Sequence, residues 1–496
     1  MRLRDLLEGI LDLPAAAAAL EGEITGLAVD SRAVRQGDLF FALPGSAADG
    51  RDYISDALAR GAAAVVYESG DGFRAPPLAV PAIAVAGLRP RLGPIADRFY
   101  GSPSRRLTVI GITGTNGKTT TSQLLAQALD DPEGSRSSSS GRCAIVGTLG
   151  HGFPGALDGA LHTTPDAITL QRLLARFAAQ QARYVSMEVS SHALDQGRVN
   201  ACTFALAVFT NLTRDHLDYH GDMARYAEAK ARLFEFPDLR YAVLNTDDPF
   251  GRTLEARVRD RRLMTLTYGI ETGEVRACEV EPRPEGLRLR VATPLGETGI
   301  EAPLFGRFNA YNLLAVFAVL LALGFDLLEA RARLARLRPI PGRMERFGGR
   351  GGRPLVIVDY AHTPDALAQA LAALREHTRG RLVCVFGCGG ERDRGKRPEM
   401  GRVAEQLADE VILTDDNPRR EDPRQILDDI LGGMCTRPKL IRDRALAIAA
   451  ALAGAGSEDV VLVAGKGHED YQQIGEERRP YSDRDTVAAL LKEAAA

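Results

Sequence analysis

Apolar residues along the 496-residue chain fall into short uninterrupted runs separated by longer stretches of helical period. The short runs are bounded by glycine, proline or small polar residues and predict buried strands; the longer stretches predict helices. In the first hundred residues the runs include 39–43 and 63–67. A second series stands at 107–110, 184–187, 206–209 and 241–244, and a third at 355–358, 382–386, 411–413 and 460–463. Alternation of this kind implies mostly parallel sheets with helices on both faces. Gly101-Ser102-Pro103-Ser104 and Arg338-Pro339-Ile340-Pro341-Gly342 are rich in breakers and separate the series. The expectation is an α/β protein of three domains, 1–103, 104–338 and 339–496. Residues 131–142 are serine-rich and read as a flexible insertion that carries no chemistry. Residues 1–20 carry two arginines and an alanine run, interrupted by Asp5, Glu8 and Asp12, which fits an amphipathic helix better than a signal peptide.

Composition narrows the class. Hydrophobic residues make up 45% and charged residues 26%, and the net charge is -3. No broad cationic field follows, so nucleic acid and anionic membrane are not expected as main partners. No uncharged apolar run reaches the length of about 18 residues needed to span a bilayer. The six cysteines (143, 202, 278, 384, 388 and 435) form no C-x-x-C pair, so they read as reduced thiols in a cytoplasmic protein. The chain is expected to act as a monomer.

The strand at 107–110 runs into Gly111-Ile112-Thr113-Gly114-Thr115-Asn116-Gly117-Lys118-Thr119-Thr120, and a helix is predicted over 122–129. Strand, glycine-rich turn, Gly-Lys-Thr and helix make a phosphate-binding context. Glycines let backbone N–H groups approach an anion, and a helix N-terminus adds partial positive charge. Lys118 would reach the β- and γ-phosphates, and the Thr119 hydroxyl would ligate Mg²⁺. The spacing departs from the strict G-x-x-x-x-G-K-[ST] pattern, because Ile112 sits where the first glycine would stand.

Other polar clusters follow buried runs. Glu188, in Ser186-Met187-Glu188-Val189-Ser190-Ser191-His192, ends a strand, where a carboxylate lies beside bound phosphates or is a plain surface group. Asn211-Leu212-Thr213-Arg214-Asp215-His216 is dense in polar groups, and His216 is either a metal ligand or structural. Lys230, in Tyr226-Ala227-Glu228-Ala229-Lys230 on a helix, reads by itself as a solvated lysine. His162-Thr163-Thr164-Pro165-Asp166 offers hydroxyls that cap a helix or bind substrate oxygens. Asn309, in Gly306-Arg307-Phe308-Asn309-Ala310-Tyr311-Asn312, reads as a helix N-cap. Arg419 and Arg420 read either as an exposed basic turn or as a carboxylate fork.

Gly114-Thr115-Asn116-Gly117-Lys118-Thr119-Thr120 resembles the ATP loop of the Mur ligase superfamily, which also includes the folylpolyglutamate synthetases. The resemblance runs through all three proposed domains. It implies an N-terminal UDP-sugar-binding domain, a central ATP-binding domain on a P-loop-type, mostly parallel sheet, and a C-terminal doubly wound, Rossmann-like domain that binds an amino acid. ATP is then a co-substrate and Mg²⁺ the cofactor. Glu188 and His216 would position metal, and Lys230 would be carbamylated, so that a cation becomes an anionic oxygen ligand. Asn312 would lie near adenine, Arg343 near the nucleotide phosphates, and Asp359 would be a further carboxylate of the catalytic set. Val29, Ser31, Ser46, Thr163, Thr164, Ser190, Gln196 and Arg198 would contact the UDP-sugar peptide, although the loop around Ser46 is equally a plain turn.

Three C-terminal segments bear on the amino acid added: Gly389-Gly390-Glu391-Arg392-Asp393-Arg394, Asp416-Asn417-Pro418-Arg419 and Gly465-Lys466-Gly467-His468-Glu469. Each follows a predicted strand, so all three can meet at one sheet edge. Within the family Asp-Asn-Pro-Arg marks enzymes that add meso-diaminopimelate. That substrate has a carboxylate which lysine lacks, and Arg419 offers a planar fork for it. Arg392, Asp416, Asn417, Pro418, Gly465 and Glu469 complete the implied amino-acid site. The implied reaction is phosphorylation of a carboxylate of UDP-N-acetylmuramoyl-L-alanyl-D-glutamate, followed by attack of a diaminopimelate amine on the acyl phosphate. A folylpolyglutamate synthetase, a nucleotide-dependent switch without catalysis and an inactive paralogue are the competing readings. The region around Ser31 and the Asp-Asn-Pro-Arg segment weigh against the first, and the joint presence of Arg392, Arg419 and Glu469 against the second.

Overall fold

The computed structural model describes residues 1–13, 20–45, 48–75, 77–131, 141–160, 162–261, 263–283, 286–349 and 351–493. Its strands form three main sheets, each drawn from one stretch of sequence. The first has four parallel strands, Gly26–Ala28, Asp38–Ala42, Ala64–Glu68 and Ala82–Val85, in chain order. Leu39, Phe41, Ala64 and Val66 point to one face and Phe40, Ala42 and Val65 to the other, as the two-residue period of a strand requires. The first face packs on Ala167 and Ile168 of the helix Ala167–Ala179 in the next unit.

The central sheet has eleven strands. Its middle is parallel: Met264–Gly269, Tyr241–Asn245, Phe204–Phe209, Thr108–Thr113, Ala182–Glu188 and Arg142–Gly147, side by side in that order. Ile110, Ile112, Leu206 and Val208 face the helices Lys118–Leu129 and Arg307–Ala322, while Val109, Ala207 and Phe209 face the opposite core with Leu170, Leu174 and Phe177. Antiparallel strands extend both ends: Gly150–Phe153 and Ala156–Asp158 at one, Gly286–Thr293 and Gly296–Ala302 at the other, the latter joined through Val275–Arg283. These additions lie outside the runs expected from sequence; in Gly286–Thr293 the pattern alternates instead of being continuously apolar. Leu287, Leu289 and Val291 are buried, whereas Arg288 and Arg290 pair outside with Glu279, Glu281, Glu297 and Glu301.

The third sheet orders Glu345–Gly348, Leu355–Asp359, Val460–Ala464, Leu382–Phe386, Glu410–Leu413 and Lys439–Leu440, parallel except for the first. All four strands expected after residue 339 are present, with helices on both faces. A two-stranded hairpin, Tyr471–Ile474 with Glu477–Pro480, stands beside this sheet.

Three local expectations change. Of the amphipathic helix expected over 1–20, the described residues form an α-helix at Leu3–Leu7, and Gly9 at φ +72° then turns the chain away; residues 14–19 lie outside the described residues. The helix after the glycine-rich loop begins at Lys118 instead of Ser122, directly after Gly117 at φ +82°, so Lys118 and Thr119 sit in its first turn. Asn309 is not an N-cap: the helix Arg307–Ala322 starts two residues earlier behind Gly306, and the Asn309 amide donates to the Phe305 carbonyl at 2.7 Å. Of the serine-rich segment, 132–140 lie outside the described residues. Among the described residues no helix is long and apolar enough to cross a membrane.

Candidate active site

Strand register assembles the phosphate side. Ile112 pairs with Glu188 and Thr113 with Phe209, so the glycine-rich loop, Glu188 and the segment from Thr210 all emerge at one sheet edge. The loop needs its glycines for two separate reasons. Gly114 has φ +150°, and a Cβ there would stand 1.9 Å from Thr210 Oγ1; Gly117 has φ +82°, and its Cβ would stand 2.6 Å from Asn312 Oδ1. Asn211 braces the turn, its side chain accepting from Asn116 N at 2.8 Å and donating to Asn116 O at 3.1 Å. Thr115 Oγ1 bonds the Tyr226 hydroxyl at 3.2 Å. Asn312 lies under the loop, accepting from Thr121 Oγ1 at 3.2 Å and donating to Asn309 Oδ1 at 2.8 Å.

Glu188 is fully buried. Its oxygens accept from Thr119 Oγ1 at 2.8 Å, Thr148 N at 2.8 Å and Thr148 Oγ1 at 3.1 Å. A buried carboxylate one hydrogen bond from the first-turn hydroxyl is a hard-oxygen donor set at a helix N-terminus, which suits Mg²⁺ shared with phosphate oxygens. The surface alternative for Glu188 is therefore excluded. Thr120, next in the helix, is buried.

Lys230 is also buried, against the solvated position that its composition suggests. The helix Met223–Ala231 buries Tyr226, Ala229 and Lys230, the i, i+3 and i+4 positions of one face. Lys230 Nζ donates to Gly114 O at 2.7 Å and lies 4.3 Å from the Tyr226 ring centroid. Lys118 Nζ donates to the same Gly114 oxygen at 2.8 Å and to Thr115 O at 2.8 Å. Burial, reinforced by the Lys118 charge, holds the Lys230 ammonium well below its ordinary range, with Asp215 opposing. Burial likewise lowers Lys118 against Glu188 and Asp215. His216, in the left-handed region at φ +53°, places Nε2 3.3 Å from Asp215, and burial pushes it below the usual histidine value.

The hydroxyls of Thr163 and Thr164 are tied to this frame. Thr163 Oγ1 bonds Thr148 Oγ1 at 3.0 Å; Thr164 Oγ1 donates to Glu188 O at 2.8 Å and accepts from Ser190 N at 3.1 Å. Arg198 clasps Gln196 Oε1 and donates to Thr164 O at 2.9 Å. Helix capping falls to Asp166 and Ser190, not to Thr163 or Thr164. Val29 and Ser31 lie after the first strand of the N-terminal sheet, away from the clefts described below, and Ser46 lies outside the described residues.

The third sheet supplies the opposite wall. Arg343 donates to Thr119 Oγ1 at 3.4 Å and lies 4.5 Å from the Tyr360 ring centroid. Asp359 accepts from Met344 N at 2.7 Å; burial raises its carboxyl, with Arg343 opposing. Asn116 Nδ2 reaches Asp365 Oδ2 at 3.0 Å, a direct bond between the phosphate loop and the C-terminal unit.

Two cavities meet here. One, of 240 Å³, contains the phosphate loop, Glu188, Ser190, His216, Lys230 and Arg343; the other, of 650 Å³, contains Arg392, Asp416, Asn417, Arg419, Gly465 and Glu469. Thr163, Asp215, His216, Tyr360, His362 and Thr363 line both, so they form one continuous cleft. Pro418 does not line it; its carbonyl packs against Gly390. Arg419, at φ +51°, donates from Nη1 to Gly390 O at 2.7 Å, and its backbone is paired with Gln473 and Gly475 of the hairpin. Burial and the neighbouring Arg392 lower the pKa of its guanidinium. Arg419 lines the cavity, which removes the exposed-turn reading for it, whereas Arg420 is exposed and pairs with Glu476.

Sequence reasoning assigned no role to Asp215, Tyr360, His362, Lys396 or Lys466. Asp215 stands inside a motif already quoted and His362 three residues after Asp359, and their shared position becomes visible only when two sheets face each other. Burial and the nearby Lys396 push His362 down to about 4.

Comparison with known proteins follows the same three-part division. The Mur ligase family catalytic domain matches residues 23–100, the Mur ligase middle domain 112–320, and the Mur ligase glutamate ligase domain 342–467. A protein of Alkalilimnicola ehrlichii named "UDP-N-acetylmuramoyl-L-alanyl-D-glutamate--2,6-diaminopimelate ligase" is 55% identical, covering 99% of both chains. One of the same name from Pseudomonas aeruginosa is 53% identical over 94% of this chain and 95% of its own. A solved structure of that name superposes with a TM-score of 0.70 at 37% identity, over 100% of this chain and 99% of its own. With matching domains in matching order and whole-length relatives at this identity, the chain belongs to the Mur ligase family.

Proposed function

We propose that the protein is an ATP-dependent, ADP-forming ligase that joins meso-2,6-diaminopimelate to UDP-N-acetylmuramoyl-L-alanyl-D-glutamate in peptidoglycan precursor synthesis. The observation that carries the reading is the continuity of the cleft: the phosphate loop at one end and Arg392 and Arg419 at the other open onto one space. The names of the whole-length relatives support it. Residues 1–103, 104–338 and 339–496 then serve as UDP-sugar, ATP and amino-acid domains.

ATP transfers its γ-phosphoryl group to a D-glutamate carboxylate; the bond to the β-phosphate oxygen breaks and ADP leaves. The diaminopimelate amine attacks the acyl carbon and loses a proton, and the tetrahedral intermediate expels phosphate to leave the amide. Lys118, Arg343 and the N–H groups of Gly114, Thr115, Asn116, Gly117, Lys118, Thr119 and Thr120 offset phosphate charge. Thr119 and Glu188 would hold one Mg²⁺, and His216 with carbamylated Lys230 a second; bound there, the ion supplies charge neutralisation along the phosphate chain. A neutral, buried Lys230 amine is the form that adds CO₂, releasing one proton to give the carbamate. Val29, Ser31, Ser46, Thr163, Thr164, Ser190, Gln196 and Arg198 hold the UDP-sugar peptide, and Asn312 shapes the adenine end from beneath the loop. Arg392, Asp416, Asn417, Pro418, Arg419, Gly465 and Glu469 form the diaminopimelate end, where Arg419 takes the carboxylate that lysine lacks. Walls from two sheets would exclude water from the acyl phosphate.

The test is phosphate release with ATP, Mg²⁺ and the UDP-muramoyl dipeptide, with meso-diaminopimelate compared against L-lysine. Release with diaminopimelate alone is expected. A preference for lysine would overturn the role of Arg419, and silence with both would overturn the ligase reading.

A further inference from the structure

Behind the proposed diaminopimelate end lies a group that the reaction as written does not use. Lys466 is fully buried. Its ammonium donates to Asn417 Oδ1 at 2.9 Å, Glu469 Oε2 at 3.2 Å and Asp416 Oδ1 at 3.3 Å, and it lies 5.6 Å from the Tyr471 ring centroid. Each of the three acceptors belongs to a residue lining the 650 Å³ cavity, but Lys466 itself does not line it. Asn417 is the centre of the arrangement. Its Oδ1 accepts from Lys466 and from Gln473 N at 2.9 Å, and its Nδ2 donates to Glu469 Oε2 at 2.8 Å. Gln472 Nε2 adds a bond to Asp416 O at 2.8 Å. The backbone of Arg419 is meanwhile held by the same hairpin, through Gln473 O and Gly475 N.

Two carboxylates bonded to one ammonium repel each other once it is removed, and the loop between them loses its fixed point. We propose that Lys466 is a positioning residue for amino-acid specificity: it holds Asp416, Asn417 and Glu469 in one rigid constellation, which fixes the loop that presents Arg419. It also adds positive charge beside Arg392 and Arg419, at one end of a cavity whose lining otherwise carries more carboxylates than cations, Asp393 and Glu399 among them. That local charge favours a ligand with an additional carboxylate over lysine, whose distal end is cationic only.

The inference rests on the diaminopimelate reading of this end, and the experiment separates the two. Steady-state KM values for ATP, the UDP-muramoyl dipeptide, meso-diaminopimelate and L-lysine are measured for the wild type, Lys466→Met and Lys466→Gln, with thermal unfolding and nucleotide binding alongside. The expected result in Lys466→Met is a rise of about 10- to 100-fold in the KM for diaminopimelate, the scale of losing charge-assisted hydrogen bonds. KM values for ATP and dipeptide stay within about two-fold, and the ratio of kcat/KM for diaminopimelate over lysine falls, since a less positive pocket penalises lysine less. Lys466→Gln keeps a donor but not the charge and should lose selectivity likewise. A wild type inactive with diaminopimelate would defeat the underlying reading itself. An active wild type with unchanged diaminopimelate KM and selectivity in the variants would overturn only the role of Lys466. Equal loss in kcat for every substrate, or failure of both variants to fold, would make that role purely structural and also overturn it.

Discussion

Glu188→Gln separates the charge of the buried carboxylate from its shape. The native side chain accepts three hydrogen bonds, from Thr119 Oγ1, Thr148 N and Thr148 Oγ1. A glutamine carbonyl can still accept from the backbone N–H, and its amide can donate to both hydroxyls once they rotate, with Thr148 Oγ1 then free to donate to Thr163 Oγ1. Exchanging three charge-assisted bonds for neutral ones costs roughly 1 kcal/mol or more each. Relief of carboxylate desolvation, several kcal/mol, offsets this. Stability should therefore move by no more than about 2 kcal/mol in either direction. Catalysis has no such offset. A unit charge about 4 Å from a metal ion interacts with each unit of its charge by about 4 kcal/mol at an effective dielectric near 20. That corresponds to about a thousand-fold in rate. Phosphate release across a Mg²⁺ series, with thermal unfolding on the same samples, reads both quantities. We expect kcat/KM to fall at least about a thousand-fold with the melting transition nearly in place. Activity within ten-fold of wild type at every Mg²⁺ concentration would refute the assignment of Glu188 to the metal.

Lys230 gives two further outcomes. Activity should fall in CO₂-depleted buffer and return with bicarbonate, with a mass increase of one CO₂ on the peptide containing residue 230. In CO₂-depleted buffer Lys230→Met should be inactive yet at least as stable as wild type at neutral pH. The folded-state pKa of Lys230 is depressed from 10.5, so between the two values the unfolded chain holds a proton that the folded chain does not. Wild-type stability therefore rises with pH through that window, and the advantage of Met should shrink toward pH 10.5; an advantage that grows with pH would contradict the buried, neutral amine. Arg419→Lys should lower kcat/KM for diaminopimelate by about 10- to 100-fold, with the KM for ATP unchanged in the same assay. Gly114→Ala puts a methyl group 1.9 Å from Thr210 Oγ1; isothermal titration should show at least about ten-fold weaker nucleotide binding, with a lower melting temperature.

Much of the fold is legible in the runs of apolar residues, because a parallel strand covered on both faces has no polar side to break its signal. The four C-terminal strands and the central strands at 182–188, 204–209 and 241–245 are of this type. The edge strands 275–302 face solvent on one side, and their alternation of Leu and Arg carries a weaker signal. The glycine-rich loop and Glu188 are legible for a local reason: both sit where a buried strand stops. Lys230 and Lys466 are not, because nothing in a lysine's neighbours in sequence distinguishes a solvated ammonium from one enclosed by residues up to 116 positions away. Ser31 and Thr164 are buried, but a buried hydroxyl does not disclose whether a ligand or the protein uses it.

The bonds that finish the phosphate loop span long stretches of chain: Thr121 to Asn312 across 191 residues, Thr119 to Arg343 across 224, Asn116 to Asp365 across 249. During synthesis the loop itself emerges early, before any of these partners exists. A chain that grows from its N-terminus thus carries the phosphate-binding sequence through most of translation without the groups that brace it, and loop-closure entropy over such separations is paid late. On the proposed reading the nucleotide site would be fully braced only once the last third of the chain has folded onto the middle, so a truncated or stalled chain would hold the motif without Arg343 and Asp365.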